Sequence, residues 1–405
     1  MQALVYYRSV PRYLLCGFLA KARRRRFFPR AAPLELRDVP EPPRALPSGE
    51  ELVQLKPLLC GVCGSDLSLV RGVESMLLEP YASFPAVLGH EILARVERAP
   101  QGSGLAPGDR VVVDPVLSCR ARGVALCRYC RRGDVNLCEN FLRGGIAPGM
   151  VMGYNASLGG GMAERCAALP DQCRKVPEAV PDETAVLADS LASALQPALD
   201  NPPVDGDVVV VYGAGIIGQH LVRCLRAMGA KAKIVAVARY DFQRELALAG
   251  GADEVLMSPG RKALGHAVGA TFHKTTLGGG NLEGGADLFF DCVGSRRSVQ
   301  DGLLALRAGG RFVLVATIGA LSGVDFSAVW QRQLTVTGTV CYGRGVFQGR
   351  EVGTYSLAVE LLASGAYPVS GLLTHSFPLC EYEQAFAAVF DRRTHRSMKV
   401  AIDLR

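Results

Sequence analysis

The chain has 405 residues, of which 49% are hydrophobic and 20% are charged, so it can bury the cores of two typical domains. That composition excludes a disordered or fibrous protein. Its formal net charge of +7 is mild for this length and does not favour nucleic acid as a partner.

The N-terminal residues MQALVYYRSV predict a strand and lack the charged and apolar regions of a secretory signal. No stretch reaches the roughly 20 apolar residues that a membrane-spanning helix needs. We therefore expect a cytoplasmic protein that binds neither a membrane nor nucleic acid. In that compartment the 13 cysteines favour metal binding over disulfide bonds.

Residues 1–185 combine short β-branched stretches with many Gly- and Pro-rich turns, which predicts a β-rich, barrel-like domain. Strands are predicted at 51–59, 92–99 and 109–116. Residues 13–30 interrupt this pattern as an insertion. Their basic run KARRRR (21–26) fits a phosphate, nucleic-acid or membrane-surface patch, although a solvated loop or helix face explains it more simply.

Residues 186–334 differ, because apolar strand-like runs such as DVVVVYG, IVAVA and ADLFFDCVG alternate with helical stretches. This alternation is typical of a parallel sheet with helices on both faces. Residues 335–405 return to the earlier pattern. The predicted fold class is therefore α/β plus β. A β-rich domain comprises residues 1–185 and 335–405, and a doubly wound domain comprises residues 186–334.

The motif GAGIIG directly follows an apolar strand at 208–211 and opens a helix, as in dinucleotide-binding folds. Gly213 permits the tight turn, Gly215 lets the backbone approach a pyrophosphate, and Gly218 lets the helix pack on the strand. The free N–H groups of the helix N-terminus then bind the phosphates. The predicted cofactor contacts here are Gly213, Ala214, Gly215, Ile216, Ile217 and Gly218.

The end of the next strand bears on the choice between NAD and NADP. An acid there binds the ribose 2′-hydroxyl and selects NAD, but this chain has Ala238 at that position, followed by Arg239 and, nearby, Arg244. An arginine can pair with a 2′-phosphate, so we expect NADP(H). The alternative is that Arg239 stacks on adenine or faces solvent while Asp241 serves NAD.

A first metal site is predicted in the β-rich domain. Cys63 is followed by Ser65 and Asp66, and His90 and Glu91 come later in the motif GHE. Catalytic zinc takes three protein ligands and leaves one place for an alcohol or carbonyl oxygen. Ser65 could move the proton of that oxygen, and Asp66 and Glu91 suit the orientation of the ligands. The alternative is that Cys63 and His90 are simply buried.

A second metal site is predicted from four cysteines, because four thiolates make a closed, structural zinc site. Its members are Cys119, Cys127, Cys130 and Cys138. The spacing Cys127-x2-Cys130-x7-Cys138 is tight and lies in a polar loop that needs a metal to hold it. The alternative is a set of unrelated thiols.

In this order, CGVCGSD, GHE, the cysteine cluster, VYGAGIIG and FDCVG resemble the zinc-containing medium-chain dehydrogenase/reductase superfamily, especially its polyol and threonine dehydrogenases. The resemblance implies a GroES-like catalytic domain with a Rossmann domain inserted in it. It also implies a catalytic zinc on Cys63 and His90, with Ser65 as proton relay. It further implies Asp189 as third zinc ligand, Val293 beside the cofactor, and a homodimer or homotetramer.

The chain departs from the family pattern at three places. The family's structural loop reads Cys-x2-Cys-x2-Cys-x7-Cys, whereas seven residues separate Cys119 from Cys127. The histidine that serves as an outer proton relay is replaced by Ser68, and the acid at the strand end is replaced by Ala238. These departures bear on the structural zinc, the proton path and the cofactor preference, respectively.

We therefore expect a zinc-dependent oxidoreductase that transfers hydride between a small alcohol or carbonyl substrate and NADP(H) or NAD(H). Two alternatives remain open from the sequence. One is a zinc-free quinone or enone reductase on the same scaffold, and the other is a non-catalytic NADP-binding sensor.

Overall fold

The fold is described from a computed structural model for residues 1–22 and 26–405. The described residues form two compact units. Unit 1 comprises Met1–Asp189, Tyr342–Arg344 and Gly353–Arg405, and unit 2 comprises Ser190–Cys341 and Gly345–Val352. Within the predicted basic run, positions 23–25 lie outside the described residues.

The first part of unit 1 is built from short strands with few helices, as its turn-rich sequence predicts. Its strands are β1 (Gln2–Tyr6), β2 (Leu34–Asp38), β3 (Val53–Gly61), β4 (Ala86–Val87), β5 (Glu91–Arg98), β6 (Arg110–Val113), β7 (Cys166–Ala168) and β8 (Cys173–Lys175). Its helices are α1 (Val10–Ala22), α2 (Gly64–Arg71), α3 (Arg128–Arg132), α4 (Asp182–Ala185) and the first residues of α5 (Ala188–Asp200). The three strands predicted from the sequence are confirmed as β3, β5 and β6.

Unit 2 alternates strands and helices along most of its length. Its strands are β9 (Val208–Tyr212), β10 (Lys233–Ala238), β11 (Glu254–Met257), β12 (Thr271–His273), β13 (Asn281–Glu283), β14 (Ala286–Asp291), β15 (Leu306–Leu314) and β16 (Thr335–Gly338), followed by β17 (Arg344–Phe347) and β18 (Arg350–Gly353) at its end. Its helices after α5 are α6 (Ile216–Ala227), α7 (Asp241–Ala249), α8 (Arg261–Ala267), α9 (Arg296–Ala305) and α10 (Ser327–Gln331).

The C-terminal part of the chain completes unit 1. Its elements are α11 (Thr354–Ala363), β19 (Leu373–Pro378), α12 (Tyr382–Phe390), α13 (Arg392–His395) and β20 (Lys399–Asp403). The mixed sheet of unit 1 has the strand order β19-β20-β3-β5-β6-β8, with β7 also paired to β3. β20 is antiparallel to β3, with Ala401 opposite Gly61, so the end of the chain lies beside the strand that precedes Cys63.

The main sheet of unit 2 is parallel and has the order β11-β10-β9-β14-β15-β16. Its central strands are β9 and β14, whose side chains Val210, Val211, Phe289 and Phe290 are fully buried. Burial on both faces explains why these strands are continuous apolar runs in the sequence. The sheets of the two units agree with the predicted α/β plus β class.

The sequence leaves the conformation of residues 13–30 open and gives no signal for α2. Residues 10–22 form α1, which packs against α2. The contact is close because it is made by glycines: a Cβ at Gly72 would collide with the backbone oxygen of Tyr13, and Gly72 ends α2 with φ +65°. The eight residues of α2 are too few to show a helical period in the sequence. Its first turn is held by a hydrogen bond from the Cys63 backbone N–H to the Asp66 carboxylate.

In the part of the chain that the structure describes, none of the helices combines the length and apolar character needed to cross a bilayer.

Candidate active site and metal centres

Unit 1 brings Cys63, His90 and Glu91 together, with one donor atom of each within 4.8 Å of the others. Cys63 is the N-cap of α2, and its N–H donates to Asp66 Oδ2 at 2.8 Å. Glu91 opens β5 opposite Gly61 of β3, and His90 directly precedes it. Two neighbouring strands and the helix that follows one of them therefore position all three side chains.

A glycine at the end of β3 and another just before β5 make room for this cluster. A Cβ at Gly61 would collide with the carboxylate of Glu91. Gly89 has φ +94°, and a side chain there would meet the Cys60 sulfur 2.5 Å away. Because neither position can carry a side chain without moving a buried neighbour, the two glycines are part of the site's geometry.

Glu91 is paired with Lys399, a residue that the sequence analysis did not single out. Both side chains are almost completely buried, and Lys399 Nζ contacts Glu91 Oε2 and donates to the Val62 carbonyl at 3.1 Å. No local motif signals this pair, because 308 positions separate the two residues in the sequence. The register of β20 on β3 and of β3 on β5 brings them together.

His90 lies in a negative electrostatic environment. Burial acts to lower the pKa of His90, but the negative charges of Cys63, Asp66 and Asp189 outweigh burial and raise that pKa to about 10. The Nδ1 atom of His90 is buried and has no hydrogen-bond partner among the described residues. It lies 3.9 Å from Asp66 Oδ1.

The donor set fits a zinc ion. A thiol, an imidazole and a carboxylate are the ligand types of catalytic zinc, which binds three protein atoms and keeps one place open. The negative field at His90 and its unpaired ring nitrogen both favour a cation at this point.

Asp189, the third ligand implied by the family resemblance, is not a member of the cluster of three donors. It is buried at the start of α5 and accepts a hydrogen bond from the Tyr342 hydroxyl at 2.6 Å. Burial, together with the negative charge of Glu91, raises the pKa of Asp189 to about 7. Asp189 therefore lies in the electrostatic surroundings of the cluster, and Glu91 is the third member of the group of donors that could hold a metal ion.

Ser65 and Asp66 meet a residue that the sequence analysis missed. The Tyr154 hydroxyl lies 2.7 Å from Asp66 Oδ1 and 3.0 Å from Ser65 Oγ. Its ring packs beside His90, with the ring centroids 5.5 Å apart. The single hydroxyl hydrogen can go to Asp66, which leaves a lone pair of Tyr154 to accept from Ser65.

Tyr154 reaches this position because its loop packs tightly on the segment between β4 and β5, which leads to His90. Gly153 and Gly160 lie against the backbone of Gly89, and a Cβ at Gly160 would collide with the Gly89 carbonyl. The side chain of Asn155 accepts hydrogen bonds from two backbone N–H groups and so fixes the turn. No sequence signal links this loop to Ser65.

All four cysteines of the second predicted site come together in unit 1. The sulfurs of Cys119, Cys127, Cys130 and Cys138 lie within 4.8 Å of one another. The Cys119 and Cys138 sulfurs are 3.5 Å apart, so the longer first spacing does not keep Cys119 away. A closed set of four thiols fits a structural zinc ion.

Backbone and side-chain N–H groups surround these sulfurs. Cys127 caps α3 and its sulfur accepts from the Cys130 N–H at 3.4 Å, while Asn140 donates to both Cys119 and Cys138. Burial acts to raise the pKa of Cys127, but the N–H groups directed at its sulfur outweigh burial and lower that pKa. Such donors stabilise the thiolate form that a metal requires.

In unit 2, the predicted glycine turn lies between β9 and α6. Gly213 has φ +110°, and its N–H and that of Ala214 both donate to the Val237 carbonyl of β10 at 3.0 Å. A Cβ at Gly213 would meet the side chain of Val293, and one at Gly218 would collide with the Gly213 carbonyl. Gly215 is the N-cap of α6, which opens with the half-buried Ile216 and Ile217.

The two arginines named for the 2′-phosphate lie at the end of β10 and in α7. Arg239 directly follows β10 and is exposed, with its backbone N–H bonded to Gln243 and its guanidinium 5.7 Å from the ring centroid of Tyr240. Arg244 is also exposed on α7. Because β10 is the parallel neighbour of β9, Arg239 lies on the strand end next to the glycine turn.

Two family models match the chain. The model for the alcohol dehydrogenase GroES-like domain matches residues 49–178, and the model for the zinc-binding dehydrogenase matches residues 217–359. These matches confirm the predicted combination of a GroES-like domain with a nucleotide-binding domain.

Probable D-xylulose reductase A of Aspergillus terreus is 30% identical over 336 residues, which cover 81% of this chain and 85% of that protein. A zinc-binding dehydrogenase from Sinorhizobium meliloti bound to NADP has a similar fold, with a TM-score of 0.70, 23% identity, and coverage of 91% of this chain and 96% of that one. The structure of a short chain alcohol dehydrogenase (rspB) from Escherichia coli CFT073 with NADH has the same TM-score of 0.70, the same identity of 23% and the same coverage of both chains. At this identity, the two structures support the fold alone.

The four-cysteine cluster predicts the effect of removing Cys119. We expect Cys119→Ser to lower the zinc content by about one ion per chain and to lower the melting temperature, because a structural zinc site contributes directly to folding. Inductively coupled plasma mass spectrometry and thermal unfolding measure both effects. Cys173→Ser is the matched control, since Cys173 is also buried but lies outside both clusters. Full zinc content in Cys119→Ser would contradict the assignment.

Proposed function

We propose that this protein interconverts a secondary alcohol of a polyol and the corresponding ketone with NADP(H). The chain belongs to the zinc-binding alcohol dehydrogenase family. Family membership makes it a zinc-dependent, nicotinamide-linked oxidoreductase. The observation that carries the proposal is the cluster of Cys63, His90 and Glu91 with Ser65 beside it. The same donor set argues against the alternative of a zinc-free reductase. Membership of a family of dehydrogenases argues against the alternative of a non-catalytic sensor.

Cys63, His90 and Glu91 would hold the catalytic zinc, with Asp189 as a neighbouring charge and not as the third ligand. Bound there, zinc supplies a Lewis acid that polarises the substrate oxygen and lowers the pKa of an alcohol. Lys399 balances the charge of Glu91 and holds its carboxylate in place. The second cluster, of Cys119, Cys127, Cys130 and Cys138, would hold a structural zinc.

Ser65 is suited to accept the proton of a substrate hydroxyl, because its own hydrogen can be donated to Tyr154. Tyr154 in turn donates to Asp66, which fixes the direction of this short hydrogen-bond chain. Tyr154 is thus the hydrogen-bond partner of Ser65 in this protein, in which Ser68 stands at the position of the family's outer relay histidine. We infer that Tyr154 is a positioning residue that orients the Ser65 hydroxyl.

The preference for NADP(H) over NAD(H) rests on Arg239. The position that would carry an acid is Ala238, so no carboxylate repels a 2′-phosphate there, and Arg239 is exposed at the strand end beside the glycine turn. Arg244 adds a second positive charge on α7. The contact of Arg239 with the Tyr240 ring also allows the alternative, in which the guanidinium stacks on adenine.

The substrate class is taken from the family. A relative named D-xylulose reductase acts on a carbonyl compound with several hydroxyl groups, and the chain covers 85% of it. A nicotinamide cofactor would exchange the hydride with the carbinol carbon. Ser65 would take the hydroxyl proton while its own hydrogen moves to Tyr154 and that of Tyr154 moves to Asp66. We therefore propose a polyol or ketose substrate rather than a simple primary alcohol.

A homodimer or homotetramer and a cytoplasmic location remain predictions. Support for self-association comes from β16, which ends the parallel sheet of unit 2 and whose four residues are all exposed. An exposed strand edge offers backbone groups to a second copy of the chain.

The assignment of Glu91 as third ligand is testable against Asp189. We expect Glu91→Gln to lose about one zinc per chain and Asp189→Asn to keep its zinc, because an amide is a much weaker zinc ligand than a carboxylate. Glu91→Gln also leaves Lys399 buried without its partner, which can unfold the protein. The double variant Glu91→Gln/Lys399→Met removes that unpaired charge and isolates the loss of the ligand.

Zinc content and circular dichroism are measured on all three variants. A folded double variant that retains the full zinc content, or a loss of zinc in Asp189→Asn alone, would assign the third ligand to Asp189.

The role of Tyr154 is testable with Tyr154→Phe. We expect kcat to fall about tenfold and KM to change less than about twofold, because the Ser65 hydroxyl loses its acceptor while substrate contacts stay. The zinc content should be unchanged, and the pH profile of kcat should shift. Tyr382→Phe, at a half-buried tyrosine of α12, is the control. Parallel loss of zinc and activity would indicate a purely structural role.

The cofactor preference is testable with Arg239→Asp. We expect kcat/KM for NADP to fall roughly a hundredfold, because a charge-assisted bond to the 2′-phosphate is replaced by repulsion, while the value for NAD changes little. The measurement is a panel of polyols, ketoses and primary alcohols run with both cofactors. Lys262→Asp, at an exposed position of α8, makes the same charge change elsewhere in unit 2. An unchanged NADP/NAD ratio, or wild-type preference for NAD, would contradict the proposal.

A further inference from the structure

We propose that α1 and the residues that follow it dock unit 1 onto an anionic membrane surface. The proposal concerns a surface of the insertion and does not depend on the chemistry of the zinc site. It revises the expectation from the sequence that the protein has no membrane partner, and it favours the membrane-surface interpretation of the basic run over the solvated helix face or loop.

The first observation is that α1 is apolar on the side that faces away from the protein. Cys16 is buried and Tyr13 and Gly17 are partly buried against unit 1. Val10, Leu14 and Phe18, which recur at every fourth residue on the opposite side, are 63 to 69% exposed. A helix at a protein surface normally presents charged or polar side chains there, so an outward apolar stripe calls for a partner.

The second observation is that a neighbouring segment extends the apolar surface. Tyr13 donates to the Glu74 carbonyl at 3.1 Å, Arg8 lies 3.3 Å from Glu79, and Gly17 packs on Gly72. Residues 72–79 therefore run beside residues 8–17 in the opposite direction. This segment exposes further large apolar side chains, namely Val73, Met76 and Leu77.

The third observation is the distribution of charge. Residues 1–34 contain eight basic and no acidic residues, whereas the formal net charge of the whole chain is +7. The other residues together are thus close to neutral, and this segment carries the positive charge of the protein. Six of the eight basic residues follow the apolar stripe directly, at positions 21, 23–26 and 30.

These properties select a lipid surface among the possible occupants. An apolar helix face flanked by a cluster of Lys and Arg binds the boundary between headgroups and acyl chains, and about four to eight basic residues are typical of binding to anionic lipids. Nucleic acid would leave Leu14 and Phe18 against a polar backbone. A second copy, placed face to face by a two-fold axis, would bring two basic clusters together.

The test uses the full chain and sedimentation with vesicles. One set of vesicles is phosphatidylcholine alone, and the other contains about 30% phosphatidylglycerol, which supplies the anionic charge. We expect binding to the anionic vesicles, at least about tenfold weaker binding to the neutral ones, and release by salt at several hundred millimolar.

Two variants separate the apolar and the electrostatic contributions. Phe18→Asp and Lys21→Glu/Arg26→Glu should each weaken binding to anionic vesicles by about tenfold or more. Leu277→Asp is the matched control, since Leu277 is 91% exposed but lies in unit 2, and it should bind as the wild type does. Unchanged zinc content and circular dichroism in each variant would show that the fold is intact.

Four outcomes would overturn the proposal. They are no binding of the wild type to anionic vesicles, equal binding to both kinds of vesicle, an equal loss in Leu277→Asp, and a wild-type dimer in light scattering that Phe18→Asp dissociates. The last outcome would assign the face to a second copy of the chain.

Discussion

The arrangement of unit 1 depends on a buried ion pair between Glu91 and Lys399. The two residues lie on strands separated by β3, and the pair ties the end of the chain to the strand that carries the metal-site motif. A buried charge that loses its partner costs about 3–5 kcal/mol, so neither residue can change alone without a large effect on stability. The absence of a side chain at Gly61 leaves the space in which the pair forms. The same pair holds the Glu91 carboxylate beside Cys63 and His90.

Charge balance links this pair to the rest of the site. Cys63, Glu91, Asp66 and Asp189 bring several negative groups into a buried region in which Lys399 is the cation that contacts Glu91. A divalent ion at the donor cluster would restore the balance, and the high pKa of His90 reflects the same field. Tyr154 and Tyr342 donate to Asp66 and Asp189, respectively, so that hydrogen bonds help to hold these two carboxylates in place. The site is thus organised by residues outside the metal ligands as much as by the ligands.

The four-cysteine lobe and the insertion are both additions to the sheet of unit 1, but they are stabilised differently. The lobe gathers four sulfurs and the N–H groups that point at them, which is the chemistry of a metal site. The insertion instead packs one side of α1 on α2 through glycines and leaves the other side apolar and exposed. The four-cysteine lobe would be completed by a single metal ion. The insertion presents an apolar surface about as long as one helix, for which we propose a large anionic partner.

The sequence by itself determined what depends on neighbours along the chain. The strands, the glycine turn at Gly213 and the fold class follow from local spacing, and so do the short motifs around Cys63 and His90, because each is formed by residues within one turn or one strand. Only the tertiary structure decided which distant groups meet these motifs. Sheet register brought Lys399 to Glu91, a glycine-rich loop brought Tyr154 to Ser65, and the folding of the lobe brought Cys119 to the other cysteines despite its longer spacing. The position of Glu91 in the donor cluster, with Asp189 outside it, and the outward apolar face of α1 also depend on contacts across the fold. No local pattern encodes such contacts, since they are set by how separate elements pack.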